Sequence, residues 1–291
     1  MEIDINTKFI TLIGTPLSQS FAARMQNAGY RAAGLNMCYF YCEADERHLG
    51  EIVNGIRYIP AFAGCAVTKP NKVAVLNYLD RLDPLCEKMG ACNTVVKEAD
   101  GSLVGYNTDG LGFYLSLVKE GGMDPVGKTF FCVGAGGAGR AICSVLAYHG
   151  AEKIYISDIF EQSSRRLAED INRNFADIAE FVPYGEYRGI EDSHMVINAS
   201  GVGMGKSVGE SPIPQNVIRP DHICFDACYN PAETQFLLEA KEKGCRTLNG
   251  LGMSLYQGVA QIELWTGREA PVEAMRQELM TILAEKEQAG V

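Results

Sequence analysis

Short apolar runs alternate with amphipathic stretches through the first third of the chain. Residues 9–13, 37–42 and 61–67 are apolar runs bounded by turn residues, and they predict strands. Residues 22–33 and 46–56 carry apolar side chains at helical spacing and predict helices between those strands. Alternation of strand and helix is typical of an α/β fold with a mostly parallel sheet.

The pattern changes after the third strand. Residues 94–98 and 103–106 predict a hairpin, because Ala99-Asp100-Gly101 supplies turn residues between them. A helix is predicted over 111–120, and the chain becomes helical again from about residue 250 to its end.

A second α/β unit begins at an apolar run over 129–133. This predicted strand leads directly into a G-x-G-x-x-G motif that contains Gly134, Gly136 and Gly139. A helix pattern then extends to Tyr148, and a second strand, 153–157, ends at Asp158. Strand, glycine loop, helix, strand and acid in this order, within about 30 residues, are typical of a dinucleotide-binding Rossmann unit. Two more strands of this unit are predicted at 195–198 and 223–226.

Each residue type in the motif suits a dinucleotide. Gly134 allows a tight turn, Gly136 lets backbone approach a pyrophosphate, and Gly139 lets the helix pack on the strand. Gly137 and Ala138 complete the loop at the helix N-terminus, where free N–H groups attract phosphate.

Asp158 bears on which dinucleotide binds. Its carboxylate would accept hydrogen bonds from both ribose hydroxyls and repel a 2′-phosphate, so we predict NAD, with NADP possible. Two alternatives remain. Asp158 could instead cap the helix that starts near Glu161, and Arg165 or Arg166 could reach a phosphate.

Composition excludes several classes of function. A chain of 291 residues favours two domains, and a net charge of −10 argues against a nucleic-acid partner. No apolar run approaches the roughly 20 residues of a membrane span, and the acidic N-terminus lacks a signal-peptide pattern. The ten cysteines form no C-x-x-C pair and the four histidines no H-x-x-x-H pair. We therefore expect reduced core thiols, no metal site, no membrane partner and a cytoplasmic protein.

Four polar segments outside the glycine loop are candidates for chemistry, because three of them follow predicted strands and ligands collect at the carboxyl ends of parallel strands. The segments are 18–20, 68–72, 91–94 and 107–110.

These segments resemble the motifs of the shikimate dehydrogenases, and the resemblance covers almost the whole chain. Three short stretches of sequence are most similar to the quinate/shikimate branch of this family: Pro70-Asn71-Lys72, Gly105-Tyr106-Asn107 and Leu264-Trp265-Thr266-Gly267. The matching motifs are Gly14-x-Pro16-x-x-x-Ser20, Val67-Thr68-x-Pro70-x-Lys72, Gly90-Ala91-Cys92-Asn93-Thr94, Gly105-Tyr106-Asn107-Thr108-Asp109-Gly110, Asn198-Ala199-Ser200, Asp226-x-x-Tyr229-x-Pro231-x-x-Thr234 and Gly250-Leu251-Gly252-Met253-x-x-x-Gln257.

The resemblance implies reversible hydride transfer between a ring hydroxyl of shikimate or quinate and NAD(P). Lys72 would be the general acid/base and Asp109 its partner, because alcohol oxidation releases a proton as hydride leaves. The implied substrate-binding residues are Ser20, Thr68, Asn93, Asp109, Tyr229 and Gln257, with Ser200 and Gly250 at the cofactor.

The implied architecture is an N-terminal α/β substrate domain and a doubly wound Rossmann nucleotide-binding domain, with a cleft between them. The substrate domain would span 1–108 and be completed by helices in 250–291, and the NAD-binding domain would span 109–249. The expected partner is a small ring acid, and the expected assembly is a monomer or homodimer.

The first substrate loop departs from the family pattern. The family usually has Ser-x-Ser-Pro, but Ser20 is followed by Phe21-Ala22-Ala23, so the second hydroxyl is missing. A hydrogen bond to a charged group contributes roughly 1.5–3 kcal/mol, so carboxylate binding would weaken about 10- to 100-fold. Lys69 either faces solvent, as strand alternation favours, or compensates for the missing serine.

Two further positions depart from the family sequence pattern. Ala66 replaces a common Asn, and Ser157-Asp158-Ile159 replaces the Asn-Arg-Thr of NADP-using members, which is consistent with NAD.

Other functions remain open at this point. The chain could be a dehydrogenase of the same fold for another hydroxylated ring acid, or a ligand-binding regulator without turnover. Taken alone, Lys72 could be a solvated lysine and Asp109 an N-cap of the 111–120 helix.

Overall fold

The chain folds into two compact α/β units. The structure, a computed structural model, describes residues 3–18 and 20–289, without the side chains of 287–289. One unit comprises Met1–Thr108 with Leu255–Val291, and the other comprises Asp109–Ser254.

The first unit contains a six-stranded mixed sheet in the order β2-β1-β3-β5-β6-β4. β1 runs parallel to β2 and β3, whereas β5 is antiparallel to β3 and β6. Its elements are β1 (Lys8–Gly14), α1 (Ala22–Ala32), β2 (Met37–Glu43), α2 (Glu46–Tyr58), β3 (Phe62–Val67), a 3₁₀ turn (Ala74–Tyr78), β4 (Arg81–Leu82), α3 (Pro84–Met89), β5 (Thr94–Lys97) and β6 (Leu103–Tyr106).

Two C-terminal helices complete this unit. The chain ends with α8 (Gly250–Thr266), whose residues from Leu255 onward belong to this unit, and α9 (Val272–Ala289), which packs on α1. A Cβ at Gly29 of α1 would lie 2.6 Å from Ile262 Cδ1, so this glycine permits close packing of α1 on α8. One core of the unit is formed by Ile13, Leu49, Val53 and Cys65 together with the hairpin residue Val95, all of which are buried.

The predicted elements of this unit are present, with small differences at their ends. β4 and α3 have no counterpart in the sequence predictions, because a two-residue strand and a six-residue helix are too short to show periodicity. α3 nevertheless carries local end signals. The Asp83 side chain accepts a hydrogen bond from Leu85 N at 2.9 Å, and Gly90 ends the helix with φ of 65°.

The second unit contains a six-stranded sheet that is parallel throughout, in the order β12-β11-β10-β7-β8-β9. Counted from β7, this is the order of a doubly wound Rossmann sheet, and the strand order reverses between β7 and β10. Its elements are α4 (Thr108–Lys119), β7 (Thr129–Val133), α5 (Gly137–Tyr148), β8 (Lys153–Ser157), α6 (Glu161–Asn174), β9 (Ala179–Phe181), β10 (Met195–Asn198), β11 (Ile223–Asp226), α7 (Gln235–Glu242) and β12 (Arg246–Asn249), with 3₁₀ turns at Gly205–Ser207 and Gln215–Val217.

The burial of each strand explains which strands of this unit could be predicted from the sequence. All five residues of β7 are buried, as expected for the central strand of a sheet covered on both faces. β9 and β12 are short edge strands with partly exposed residues, and neither was predicted. Within the described part of the chain, no helix combines the length and apolarity needed to cross a bilayer.

Candidate active site

The glycine loop after β7 lies directly against the loop after β10. Gly134 has φ of 111°, and a Cβ there would lie 2.4 Å from the carbonyl carbon of Ala199 and 2.5 Å from Ser200 N. A Cβ at Gly139 would lie 1.9 Å from Gly134 O. Neither position can accept a side chain without movement of backbone, so glycine is required at both for steric reasons.

The rest of the loop leaves the start of α5 open. Gly136 is the N-cap residue and Gly137 the first residue of α5, both are exposed, and Ala138 is half-buried. A cavity of about 280 Å³ adjoins this end of the sheet, in the second unit. Its lining includes Gly136, Asp158, Phe160, Tyr184, Ser200 and Pro212.

Asp158 is held by two backbone hydrogen bonds. Its Oδ2 accepts from Ala135 N at 2.6 Å, and its Oδ1 accepts from Phe160 N at 2.8 Å. The N-cap residue of α6 is Phe160, so the alternative that Asp158 caps this helix is wrong. The carboxylate instead ties the glycine loop to the turn after β8, a role that the sequence did not reveal.

One of the two arginines considered for a 2′-phosphate has other contacts. The Arg165 guanidinium lies 3.6 Å from the centroid of the Phe181 ring and 3.5 Å from a Glu161 carboxylate oxygen. The positions that follow Asp158 carry no cation, because Ile159 and Phe160 are exposed apolar residues.

Buried hydrogen bonds hold the loops after β10 and β11. Asp226 is fully buried and accepts from Asn198 Nδ2, Cys228 N and Thr234 Oγ1 at 3.0, 2.8 and 2.6 Å. Asn198 Oδ1 accepts from both the backbone N and the hydroxyl of Ser200, at 3.0 and 2.6 Å. Burial raises the pKa of Asp226, although all three donors favour its charged form.

Two other predicted site residues of this unit lie near the same strand ends. Tyr229 is half-buried, and burial raises its pKa. Gly250 is buried at the start of α8, where a Cβ would lie 2.1 Å from Ala227 O.

In the first unit, the loops after β1 and β3 are in direct contact. Thr15 N donates to Lys69 O at 3.1 Å, and Thr68 N donates to Ile13 O at 2.9 Å. A Cβ at Gly14 would lie 2.3 Å from Thr68 Cγ2, which leaves no room for a larger residue. Lys69 is exposed and Thr68 half-buried, so Lys69 faces solvent as expected, although both residues lie after the end of β3.

Tyr41 supports the loop that carries Ser20. Its hydroxyl donates to Ser20 O at 2.7 Å and accepts from Ala23 N at 3.2 Å. Ser20 Oγ accepts from Ala22 N at 3.3 Å, so its hydroxyl proton is available to a ligand. Sequence reasoning missed Tyr41, which lies on β2, because nothing local links it to this loop.

Lys72 is anchored through its main chain next to Asn93. Lys72 O accepts from Cys92 N at 2.8 Å, and Asn93 O accepts from Val67 N at 2.8 Å. Lys72 is half-buried. Asn71 is fully buried and donates from Nδ2 to Ala44 O at 2.9 Å, which further fixes this loop.

Asn93 is the most enclosed of the predicted substrate residues. It is 1% exposed, and its Oδ1 accepts from Thr108 N at 2.7 Å and from the hydroxyls of Thr94 and Thr108 at 3.1 Å. Gln257, on α8, is half-buried. The expectation that Asp109 is an N-cap is wrong, because α4 already begins at Thr108 and Asp109 lies within its first turn.

Profiles of two known domains match the chain. The shikimate dehydrogenase substrate binding domain matches residues 12–95, and the shikimate 5'-dehydrogenase C-terminal domain matches residues 250–280. The shikimate dehydrogenase (NADP(+)) of Desulforamulus reducens is 39% identical over 94% of this chain and 95% of its own length. The chain belongs to the shikimate dehydrogenase family.

Solved structures agree with the family assignment. Shikimate 5-dehydrogenase from Listeria monocytogenes, in complex with shikimate and NAD, superposes with a TM-score of 0.91 at 37% identity, covering 96% of this chain and 98% of its own. Quinate dehydrogenase from Corynebacterium glutamicum, in complex with NAD, gives 0.86 at 31% identity, covering 94% and 99%. The 5-ketofructose reductase of Gluconobacter sp. strain CHM43 gives 0.90 at 33% identity, covering 96% and 100%.

The family assignment confirms the resemblance and the predicted fold class. It makes the protein an oxidoreductase that acts on a hydroxyl group with a nicotinamide cofactor. Among the described residues, no group of three or more His, Cys, Asp or Glu side chains could hold a metal ion. The ten cysteines are free thiols, and burial raises the pKa of Cys228 to about 12.

Proposed function

We propose that this protein transfers a hydride reversibly between a ring hydroxyl of shikimate or quinate and NAD. Lys72 is the general acid/base and Asp109 its partner. The observation that carries the proposal is the pair of backbone hydrogen bonds that hold Lys72 beside Cys92 and Asn93 beside Val67, both at 2.8 Å. They bring the main chains of Lys72 and Asn93 together beyond the carboxyl end of β3, which supports a role for both side chains in binding one polyol substrate.

The two units take separate roles in this proposal. Residues 1–108 with the C-terminal helices bind the ring acid through Ser20, Thr68, Asn93 and Gln257. Residues 109–249 bind the dinucleotide, a role that the Rossmann strand order and the open start of α5 support. Asp109 and Tyr229, which belong to residues 109–249, are proposed to bind the substrate as well.

The chemistry needs one proton transfer for each hydride. When the alcohol is oxidised, its hydrogen leaves with two electrons to the nicotinamide, and its hydroxyl proton passes to the Lys72 amine. The Asp109 carboxylate is proposed to orient that amine. In the reverse direction the same ammonium protonates the carbonyl oxygen.

NAD is the favoured cofactor. Asp158 is half-buried at the wall of the 280 Å³ cavity, and Ile159 and Phe160 follow it where a 2′-phosphate would need a cation. The relatives from Desulforamulus reducens and Moorella thermoacetica, each matched over 94% of this chain, are named for NADP(+), whereas the Listeria monocytogenes structure contains NAD. NAD use favours oxidation of the ring alcohol as the working direction.

A neutral polyol is the second candidate substrate. Ala22 lacks the hydroxyl that would bind a carboxylate beside Ser20, and the 5-ketofructose reductase of Gluconobacter, whose named substrate carries no carboxylate, shares this fold. The activity assay therefore includes both ring acids and a neutral keto-sugar as substrates.

The experiment is a steady-state panel of shikimate, quinate and 5-ketofructose with each cofactor, followed at the nicotinamide absorbance. Lys72→Ala lowers kcat about 10²- to 10⁴-fold, the usual contribution of a general acid/base, with little change in KM. Lys88→Ala is the matched control, because Lys88 is exposed on α3 of the same unit. An unchanged kcat in Lys72→Ala would overturn the catalytic assignment.

We also infer a cytoplasmic monomer or homodimer with no nucleic-acid or membrane partner. Ten free thiols and a net charge of −10 support this inference. Light scattering of the purified protein tests the oligomeric state.

A further inference from the structure

A cavity opens at the end of the first unit that lies opposite the substrate loops. It has a volume of about 820 Å³, and its described lining belongs entirely to this unit. Lys8, Met37 and Phe62 line it at the starts of β1, β2 and β3, whereas the loops with Ser20 and Thr68 follow the carboxyl ends of β1 and β3. The seven residues of β1, at about 3.3 Å each, separate the two ends by roughly 20 Å. The cavity is therefore distinct from the candidate substrate site.

One wall of the cavity is aromatic and held in place. Trp265, near the end of α8, is buried, and its indole N–H donates to Val95 O at 3.0 Å. Gly64 on β3 makes room for the ring, because a Cβ there would lie 3.0 Å from Trp265 Nε1 and 2.1 Å from Val95 O. Phe62, which is half-buried, belongs to the same lining. The orientation of the indole is thus fixed before any ligand binds.

The lining also carries positive charge, on a chain whose net charge is −10. Four of the described lining residues are cations: Lys8, Arg57, Lys97 and Arg268. The Arg57 guanidinium lies 2.5 Å from an Asp80 carboxylate oxygen, and the other three form no ion pair within the described part of the chain. The described lining also includes the exposed carboxylates of Glu98 and Asp100, at the hairpin turn. Cations therefore exceed carboxylates at this cavity.

Two of these cations are fixed in position by main-chain carbonyls. Lys97 Nζ donates to Ile56 O at 3.0 Å and to Ile59 O at 2.9 Å, and Lys8 Nζ donates to Pro60 O at 3.1 Å. These carbonyls belong to the end of α2 and the loop after it, where lysines commonly satisfy unpaired carbonyl groups. An ammonium has three N–H groups, so these bonds leave one on Lys97 and two on Lys8.

The two ammonium groups also act on each other. Burial, and then the neighbouring Lys8 ammonium, lower the pKa of Lys97. Satisfying the end of α2 explains where the two ammonium groups lie, but it leaves their repulsion in place. A carboxylate has two acceptor oxygens, so it can accept a charge-assisted hydrogen bond from each ammonium and offset that repulsion.

We propose that this cavity is a second small-molecule site, which binds a planar aromatic carboxylate with its ring against Trp265 and Phe62 and its carboxylate at Lys8 and Lys97. The volume lies within the roughly 300–1,000 Å³ of ordinary ligand sites. The aromatic wall and the ammonium pair together select against an anion without a ring and against a ring without a charge. The inference goes beyond the proposed function and does not rest on it.

The test uses the full-length protein and its own reporter. Trp265 is the single tryptophan of the chain, so its fluorescence reports binding at this wall directly, and calorimetry measures the same titration independently. The probes are benzoate, its uncharged analogue benzamide and inorganic phosphate. Benzoate gives a saturable change that persists with saturating shikimate present. Benzamide and phosphate each bind at least about tenfold more weakly, because the first lacks the charge and the second the ring.

Variants assign the signal to the lining. Lys8→Gln and Lys97→Gln each raise the Kd for benzoate about 10- to 100-fold, and Phe62→Leu raises it about three- to tenfold. Lys88→Gln is the matched control, because Lys88 is an exposed lysine of the same unit outside the described lining, and it leaves the Kd unchanged. If the half-buried Lys97 cannot be replaced without unfolding, the exposed Lys8 still tests the ammonium pair.

Several results would overturn the proposal. These are the absence of benzoate binding by both methods, an unchanged Kd in folded Lys8→Gln and Lys97→Gln variants, or displacement of benzoate by shikimate. Equal binding of benzamide would remove the role of the charge, and equal binding of phosphate would remove the role of the ring. Failure of the proposed function appears separately, as a lack of turnover in the substrate panel.

Discussion

Replacement of Asp158 by asparagine tests the cofactor preference at a single charged group. The carboxylate accepts backbone hydrogen bonds through both oxygens, from Ala135 N at 2.6 Å and from Phe160 N at 2.8 Å. An asparagine has only one acceptor oxygen, so Asp158→Asn leaves one of these N–H groups facing an NH₂ group. The glycine loop therefore loosens as the charge is removed.

Three contributions to binding change in this variant. The lost loop hydrogen bond costs about 1–3 kcal/mol, but it affects both cofactors equally and cancels in their ratio. NAD also loses a charge-assisted bond to its ribose, about 1.5–3 kcal/mol or roughly 10- to 100-fold. NADP loses a repulsion of about 1.7 kcal/mol, taking a phosphate charge near −2 at about 5 Å in a water-like dielectric, or roughly 15-fold.

The assay is kcat/KM for NAD and for NADP at saturating substrate, in the wild type and in Asp158→Asn. The ratio of NAD to NADP falls by at least about 100-fold in the variant, given the two cofactor-specific terms. Asp192→Asn is the matched control, since it removes one exposed charge from the same unit at the amino end of β10 and leaves the ratio unaltered. A ratio that stays within about threefold of the wild type in Asp158→Asn would show that this carboxylate serves the loop and not the ribose.

Two further predictions concern the substrate loop and the pH dependence of stability. Ala22→Ser, at the start of α1, restores a hydroxyl beside Ser20 and lowers KM for shikimate or quinate about 10- to 100-fold. KM for a neutral polyol stays unchanged, and an unaltered KM for the acids places the carboxylate elsewhere. Burial lowers the pKa of His222 below its ordinary value of 6.5, so the unfolded state binds more protons and stability falls as pH drops through that value. The urea midpoint therefore falls from pH 7.5 toward pH 5.5 by less in His222→Asn than in the wild type or the exposed control His48→Asn, and equal slopes would contradict this.

Some residues that contact the candidate site could not be identified from the sequence. Thr94 and Thr108, which contact Asn93 or each other, entered only as members of the candidate segments 91–94 and 107–110. Tyr41, Gln26 and Gln261 were not identified in advance. Each is a common core or surface residue type with no local signal. The bond from Gln261 to Thr94 joins residues 167 positions apart, which no local pattern encodes.

The order of elements, the glycine loop and the candidate residues at the strand ends followed from the sequence alone. These features depend on local periodicity, on steric rules for glycine and on motif spacing, all of which are written in neighbouring residues. Strand order, the short edge strands β4, β9 and β12, and the two backbone bonds of Asp158 came only from the tertiary structure. So did the orientation of the Asn93 amide, because the Thr108 N–H that binds its Oδ1 is brought beside it by folding.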